Sequence, residues 1–164
     1  MRAMKVFIAS PLGFAESTRL FLPRVRGKLL ELGCEPVDPW ASSADLEEEL
    51  RKAASLADWQ IRARELHRVS MRIAGRNASL LRSCGRVLAV LDGPDVDSGT
   101  ASEIGYAFGL GKGIDGYRGD FRRAGENDGV TINLQVQYWI EQSGGRIVHS
   151  LDELESLYRS DKRE

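Results

Sequence analysis

Residues 86–107 read RVLAVLDGPDVDSGTASEIGYA, and the reading of this stretch decides the fold. Arg86 to Leu91 is a short continuous apolar run, the pattern of a strand buried on both faces. Asp92 to Gly99 is turn chemistry, and from Gly99-Thr100-Ala101-Ser102 the spacing turns helical as far as Leu110. Strand, turn and helix in succession form the unit of a parallel α/β sheet. Outward from here the unit recurs. Lys5 to Ala9 reads as the first strand, Glu35 to Val37 as a short second, Gly113 to Tyr117 as the fourth and Arg146 to Val148 as the fifth. Helices are predicted over Thr18 to Leu32, with Pro23 near its start or kinking it, over Ser43 to Ala57 as a surface helix, and over Asp58 to Ser83, where Gly75 is a candidate break. Ser150 with Glu153 three residues on reads as the capping box of a last helix. Gly119 to Thr131 is the one long loop. No repeat or composition shift marks a linker, so residues 1–164 are expected to form one doubly wound α/β domain.

Composition agrees. The 164 residues fall within the ~100–200 typical of one domain, and 42% hydrophobic with 29% charged residues is ordinary for a globular chain. With 23 basic against 24 acidic residues there is no global positive field to draw in a nucleic-acid polymer or an anionic membrane. Cys34 and Cys84 match no CxxC spacing and His67 and His149 form no zinc pair, so both cysteines read as reduced thiols in an intracellular, cytoplasmic protein. The longest apolar runs fall far short of the ~20 residues of a membrane span. Pro11 and Gly13 interrupt the N-terminal apolar stretch, which a strand explains better than a signal peptide.

In doubly wound sheets ligands bind beyond the carboxyl ends of the strands, here Ser10 to Phe14, Asp92 to Gly99 and Arg118 to Thr131. The second loop is the richest, with Asp92, Asp95 and Asp97 in a turn and Glu103 in what reads as the first turn of the following helix. The helix dipole and nearby amides there favour an ionised carboxylate. Such an anion suits attack on an anomeric carbon, through an ester that divides one hard displacement into two easier ones. Two readings stand side by side at this point: Glu103 as nucleophile, or Glu103 as a helix-start residue among turn-forming aspartates. The acidic spacing matches no calcium loop.

Phe7-Ile8-Ala9-Ser10-Pro11, Val90-Leu91-Asp92-Gly93, Asp97-Ser98-Gly99-Thr100-Ala101-Ser102-Glu103-Ile104-Gly105-Tyr106-Ala107, Gly116-Tyr117-Arg118-Gly119-Asp120 and Asn133-Leu134 together resemble the nucleoside 2-deoxyribosyltransferase family, in order and over nearly the whole chain. The resemblance implies a single-domain flavodoxin-like (Rossmann-like) five-stranded parallel sheet flanked by helices. It also implies exchange of nucleobases on 2-deoxynucleosides through a covalent glycosyl-glutamate, with no metal or organic cofactor. Glu103 matches the nucleophile and Asp97 the aspartate that holds the sugar hydroxyls. Asn133 matches an asparagine that enters a neighbouring subunit's site, so a homo-oligomer is implied. Phe7, Ser10, Gly13 and Gly99 complete the implied substrate-binding set. Partners are thus 2-deoxynucleosides and free nucleobases.

Related hydrolases of nucleoside 5′-monophosphates carry serine where this chain has Asp97, and a carboxylate repels a phosphate dianion. Arg19, Arg24 and Arg26 read as a solvated helix face. Two departures from the family pattern bear on the chemistry. Asn77 stands where an aspartate usually serves the leaving base, and an amide cannot deliver a proton as an acid, which leaves Asn77 to hydrogen-bond the base or Asp92 to act instead. Phe7 stands where a tyrosine hydroxyl usually orients the nucleophile. Asp115 inside a buried strand is costly unless paired. Trp40 is placed to wall the base or to pack over the sheet edge, Trp59 reads as core or subunit contact, and Tyr138 and Trp139 as oligomer interface. His67 reads as a surface residue in the solvated basic stretch Arg62 to Arg72. The rivals to transfer are an N-glycosidase, in which water intercepts the ester, and a non-catalytic nucleoside or nucleotide sensor.

Overall fold

The apolar run that opens the sequence argument lies in the middle of the sheet. In the computed structural model, which describes residues 3–160, the five strands are β1 (Met4–Ala9), β2 (Cys34–Val37), β3 (Arg86–Val90), β4 (Gly113–Tyr117) and β5 (Ile147–Val148). They lie in the order β2-β1-β3-β4-β5, every pairing parallel. This is the flavodoxin-like order, with its reversal between β1 and β3. The helices are α1 (Glu16–Arg19), α2 (Leu22–Glu31), α3 (Ala44–Ala54), α4 (Trp59–Ser83), α5 (Ser98–Gly109), α6 (Leu134–Gln142) and α7 (Leu151–Ser160).

Strand side chains alternate between faces, and the core divides accordingly. Val6, Ile8, Leu88 and Val90 face α2 and α7 through Val25, Leu29, Leu154 and Leu157. Phe7, Ala9, Val87, Ala89 and Ile114 face the other way, against Leu81, Ile104, Val136 and Ile140 of α4 to α6. Each fully buried aliphatic side chain contributes about 1.5–3 kcal/mol, so both layers are required to hold the sheet.

The helix reading needs three corrections. The stretch predicted over Thr18 to Leu32 is two helices, and Pro23 sits in the first turn of α2, where its missing N–H removes no helical bond. Gly75 does not break α4: it is exposed, a Cβ there would meet nothing within 4 Å, and the cost of glycine is only about 1 kcal/mol. Trp59 is 67% exposed and not core. At the last helix Ser150 Oγ accepts Glu153 N at 3.1 Å, while the Glu153 carboxylate accepts the N–H of His149 rather than that of Ser150.

The buried Asp115 is answered across the sheet. It is fully buried, and Arg86 clamps it with both arms of the guanidinium, Nε to Oδ2 at 2.6 Å and Nη2 to Oδ1 at 2.9 Å. The same guanidinium lies 5.5 Å above the Tyr158 ring. At the end of β4, Arg118 is also fully buried and donates to the carbonyls of Leu91, Gly93 and Arg122. Asp92 Oδ1 accepts the N–H of Asp120 at 2.8 Å. The loops after β3 and β4 are thereby joined. Cys34 and Cys84 are buried thiols, and among the described residues no helix is long and apolar enough to cross a membrane.

Candidate active site

Where the strand order reverses, the helices that follow β1 and β3 depart to opposite faces and leave a crevice between them. A cavity of about 350 Å³ opens there. Ile8 and Ser10 form its floor at the end of β1. Pro39 and Trp40 enter after β2, Ser43, Glu47 and Leu50 come from α3 and the turn before it, and Ile73 and Asn77 from α4. Asp97, Gly99, Thr100 and Glu103 complete the wall.

Asp97 organises the start of α5. Its Oδ2 accepts the N–H of Thr100 at 2.9 Å and the Thr100 hydroxyl at 3.2 Å, which makes Asp97 the N-cap and starts the helix at Ser98. Asp97 also lines the cavity. Glu103 therefore lies in the second turn, not the first as the sequence suggested. The benefit of the helix dipole fades beyond the first turn, and burial takes over. Burial, and secondly the Asp97 carboxylate, push the Glu103 carboxyl up from 4.5 to about 7. The sequence expectation of a dipole-stabilised anion is corrected: Glu103 is held at the boundary between acid and anion near neutral pH, where a carboxylate changes charge with small changes in its surroundings.

This sets a pH dependence. If the ionised carboxylate is the reactive form, kcat/KM should rise with pH through about 7. Asp97→Asn removes the repulsion but not the burial, so the limb is expected to move to lower pH, whatever the rate lost. A pH–rate series on both chains reads this directly, and a limb that stays or moves upward contradicts it.

The remaining sequence candidates are distributed as follows. Ser10 lines the cavity, its Oγ accepting Leu12 N at 3.1 Å and its carbonyl accepting Trp40 Nε1 at 3.2 Å. Gly13 lies beneath the Trp40 ring, where an added Cβ would fall 2.4 Å from it; only glycine lets the indole close on the loop. Phe14 meets Trp40 edge-on at 4.7 Å, so Trp40 both walls the cavity and packs on the strand ends. Gly99 lines the wall beside Asp97. Asn77 reaches the cavity from α4, its Oδ1 buried with no hydrogen-bond partner. Three candidates lie elsewhere. Phe7 is fully buried in the α4 to α6 core layer, Asp92 is engaged with Asp120, and Asn133 caps α6 through Gln135 and Val136 while donating to Glu126 at 2.8 Å.

Sequence reasoning missed Ser43, Glu47, Leu50 and Ile73. The available signal was the Ser43–Glu47–Leu50 spacing, one face of a helix, beside the Leu46 that buries it. Arg76 of α4 fixes that helix, donating to the Ser42 carbonyl at 2.9 Å and to Asp45 Oδ2 at 2.8 Å. The basic stretch of α4 thus serves partly to pin α3, since Arg72 and Arg68 also pair with Glu49.

The family model for nucleoside 2-deoxyribosyltransferase matches residues 6–135, a span that contains every residue lining the cavity. The chain belongs to the nucleoside 2-deoxyribosyltransferase family. Members of this family act on N-glycosidic bonds, by transfer or by hydrolysis. No curated protein matches the chain. Among solved structures it is similar to a conserved protein from Enterococcus faecalis, with TM-score 0.72 and 21% identity over 97% of this chain and 99% of that one. It is also similar to a 2-desoxiribosyltransferase from Leishmania mexicana, TM-score 0.62, 21% identity, over 92% and 93% of the two chains. A CMP N-glycosidase from Clostridium botulinum aligns at TM-score 0.52 with 18% identity, over 98% and 99%. At these identities the likeness is one of fold. The deoxyribosyltransferase fold thus accounts for the sheet order and for the place of the cavity.

Proposed function

We propose that the chain exchanges nucleobases on 2-deoxynucleosides through a glycosyl ester on Glu103. The observation that carries this reading is a buried, near-neutral Glu103 beside Asp97 on the wall of the switch-point cavity. In the first half-reaction a Glu103 carboxylate oxygen attacks the anomeric carbon as the bond to the base nitrogen breaks, the electron pair leaving with the base. Asn77 supplies a hydrogen bond to the departing base, which takes its proton from water because an amide has none to give as an acid. In the second half-reaction a nitrogen of another base attacks the same carbon and gives up its proton to the hydroxide left by the first, and the ester bond breaks with its electron pair returning to the Glu103 carboxylate. Asp97 Oδ1 accepts from a sugar hydroxyl throughout.

Nucleosides fit better than nucleotides. Asp97, Glu103 and Glu47 line the cavity and, among the described residues, no Lys or Arg does, so a phosphate dianion would meet carboxylates and no compensating cation. The deciding experiment is chromatographic: a 2-deoxynucleoside is incubated with and without a different free base. A new deoxynucleoside that forms only with the second base supports transfer. Base release without any acceptor assigns the chain to hydrolysis, and no change with any donor assigns it to binding alone.

The reading includes a homo-oligomer in which Asn133 faces the site of a second copy. Leu134 and Tyr138, next to Asn133, are 49% and 52% exposed, an apolar surface suited to burial between subunits. Sedimentation equilibrium at micromolar concentration should return a multiple of 18.2 kDa; a monomer sets this part aside.

A further inference from the structure

Besides Asp97 and Glu103, the cavity carries polar side chains that the exchange reaction leaves largely unused. Ser43 precedes α3 and Glu47 lies one turn on, a spacing that puts both on one helix face, and both line the cavity together with Asn77. Ser43 is only 5% exposed, yet its Oγ has no hydrogen-bond partner, and Asn77 Oδ1 has none either. Glu47 is exposed at the cavity and forms no hydrogen bond or ion pair among the described residues, whereas its neighbours Glu48 and Glu49 are held by Arg51 and Arg72. Buried polar groups in native proteins are almost always satisfied, and one left bare is costly. A cavity wall with two such groups, Ser43 Oγ and Asn77 Oδ1, beside the exposed carboxylate of Glu47, and fixed by the Arg76 bonds to Ser42 and Asp45, is one that a ligand completes.

The chemistry of the wall says what kind of ligand edge it takes. Trp40 and Phe14 offer aromatic surface at the same cavity, suited to the face of a base. At the edge, an ionised Glu47 only accepts hydrogen bonds, Asn77 Oδ1 accepts, and the Ser43 hydroxyl does either. A base that donates from its edge satisfies this set. A base with a carbonyl oxygen in the same place sets a lone pair against the Glu47 charge.

We propose that Ser43, Glu47 and Asn77 form a base-reading wall that selects nucleobases bearing an exocyclic amine in that place, adenine and cytosine, over their carbonyl-bearing counterparts hypoxanthine and uracil. This rests on the base-exchange reading for its substrate class, and Glu47 is its specificity-determining residue. Sites built to hydrogen-bond a donor reject analogues that lack it by large factors.

The test is a binding measurement, independent of turnover. Calorimetric titration of the Glu103→Gln chain, whose carboxamide does not form the ester, is carried out with deoxycytidine against deoxyuridine and with deoxyadenosine against deoxyinosine. The amine-bearing member of each pair should bind at least about tenfold tighter. Adding Glu47→Ala, or the size-conserving Glu47→Gln, should bring the ratio to within about twofold of unity. Among the described residues Glu47 has no structural partner to lose, and circular dichroism checks that the variants keep the fold. Equal affinity within both pairs, no binding of any of the four, or a ratio that the Glu47 substitutions leave unmoved overturns the proposal. A wild-type chain that exchanges no base while the ratio holds overturns only the exchange reading.

Discussion

Glu103→Ala should lower base exchange by more than about a thousandfold, the scale on which removal of a covalent nucleophile acts. The expectation follows from position and chemistry together. The cavity holds Asp97 and Glu47 besides Glu103, but Asp97 is committed to the start of α5 through Oδ2. The control is Glu103→Gln, which keeps the volume and loses the charge. A carboxyl raised from 4.5 to about 7 stabilises the folded chain only while it is protonated. The resulting deficit is absent below about pH 4.5, grows as pH rises to about 7 and is complete above it, at most about 3–4 kcal/mol at about 1.4 kcal/mol per unit. Glu103→Gln should therefore be inactive and yet more stable than wild type at pH 8, with little difference at pH 4. Urea unfolding at both pH values checks the sign, and chromatography of the base exchange checks the rate. An undiminished rate in Glu103→Ala would sink the mechanism.

The second large effect concerns stability alone. Arg86→Met should cost about 3–5 kcal/mol, because it leaves the Asp115 carboxylate fully buried without the guanidinium that clamps it. The pair itself is not the source of that figure: two buried charges repay each other's desolvation and little more. It follows that Arg86→Met combined with Asp115→Leu should recover most of the loss. Urea midpoints of the single and double variants measure this. A single variant within about 1 kcal/mol of wild type would mean that water or another group already satisfies Asp115.

The two pairs of residues also show what a sequence makes legible. The β3 run and the Asp97 to Glu103 spacing announce themselves through local pattern, because strand burial and turn chemistry act within a few residues. Asp115 is legible only as an anomaly. Its partner Arg86 begins a strand 29 positions away, and register across a sheet is set by the whole fold. The α3 wall is harder still. Residues 43–57 read as a surface helix, and only the tertiary bonds from Arg76 reveal that its start sets Ser43 and Glu47 on the cavity wall. The Glu103 carboxyl was misread for a related reason: its distance from the helix start depends on which residue caps, and its burial depends on elements far away in sequence. Asp92 looked as chemically apt as Asp97, and its hydrogen bond to Asp120 is invisible before the two loops are brought together.

Arg118 gives those loops a further property. A guanidinium does not lose its proton in any physiological range, and the carbonyls of Leu91, Gly93 and Arg122 that it joins have no proton to exchange. Asp120, held far below the usual carboxylate range by Arg122, stays ionised over the same interval. The guanidinium bonds that join the two loops are therefore insensitive to acidity, while Glu103 is poised to respond to it. A molecule divided in this way can gain or lose the proton on its reactive carboxyl without re-forming its scaffold, so acid inactivation near neutrality should be reversible chemistry rather than the first step of denaturation.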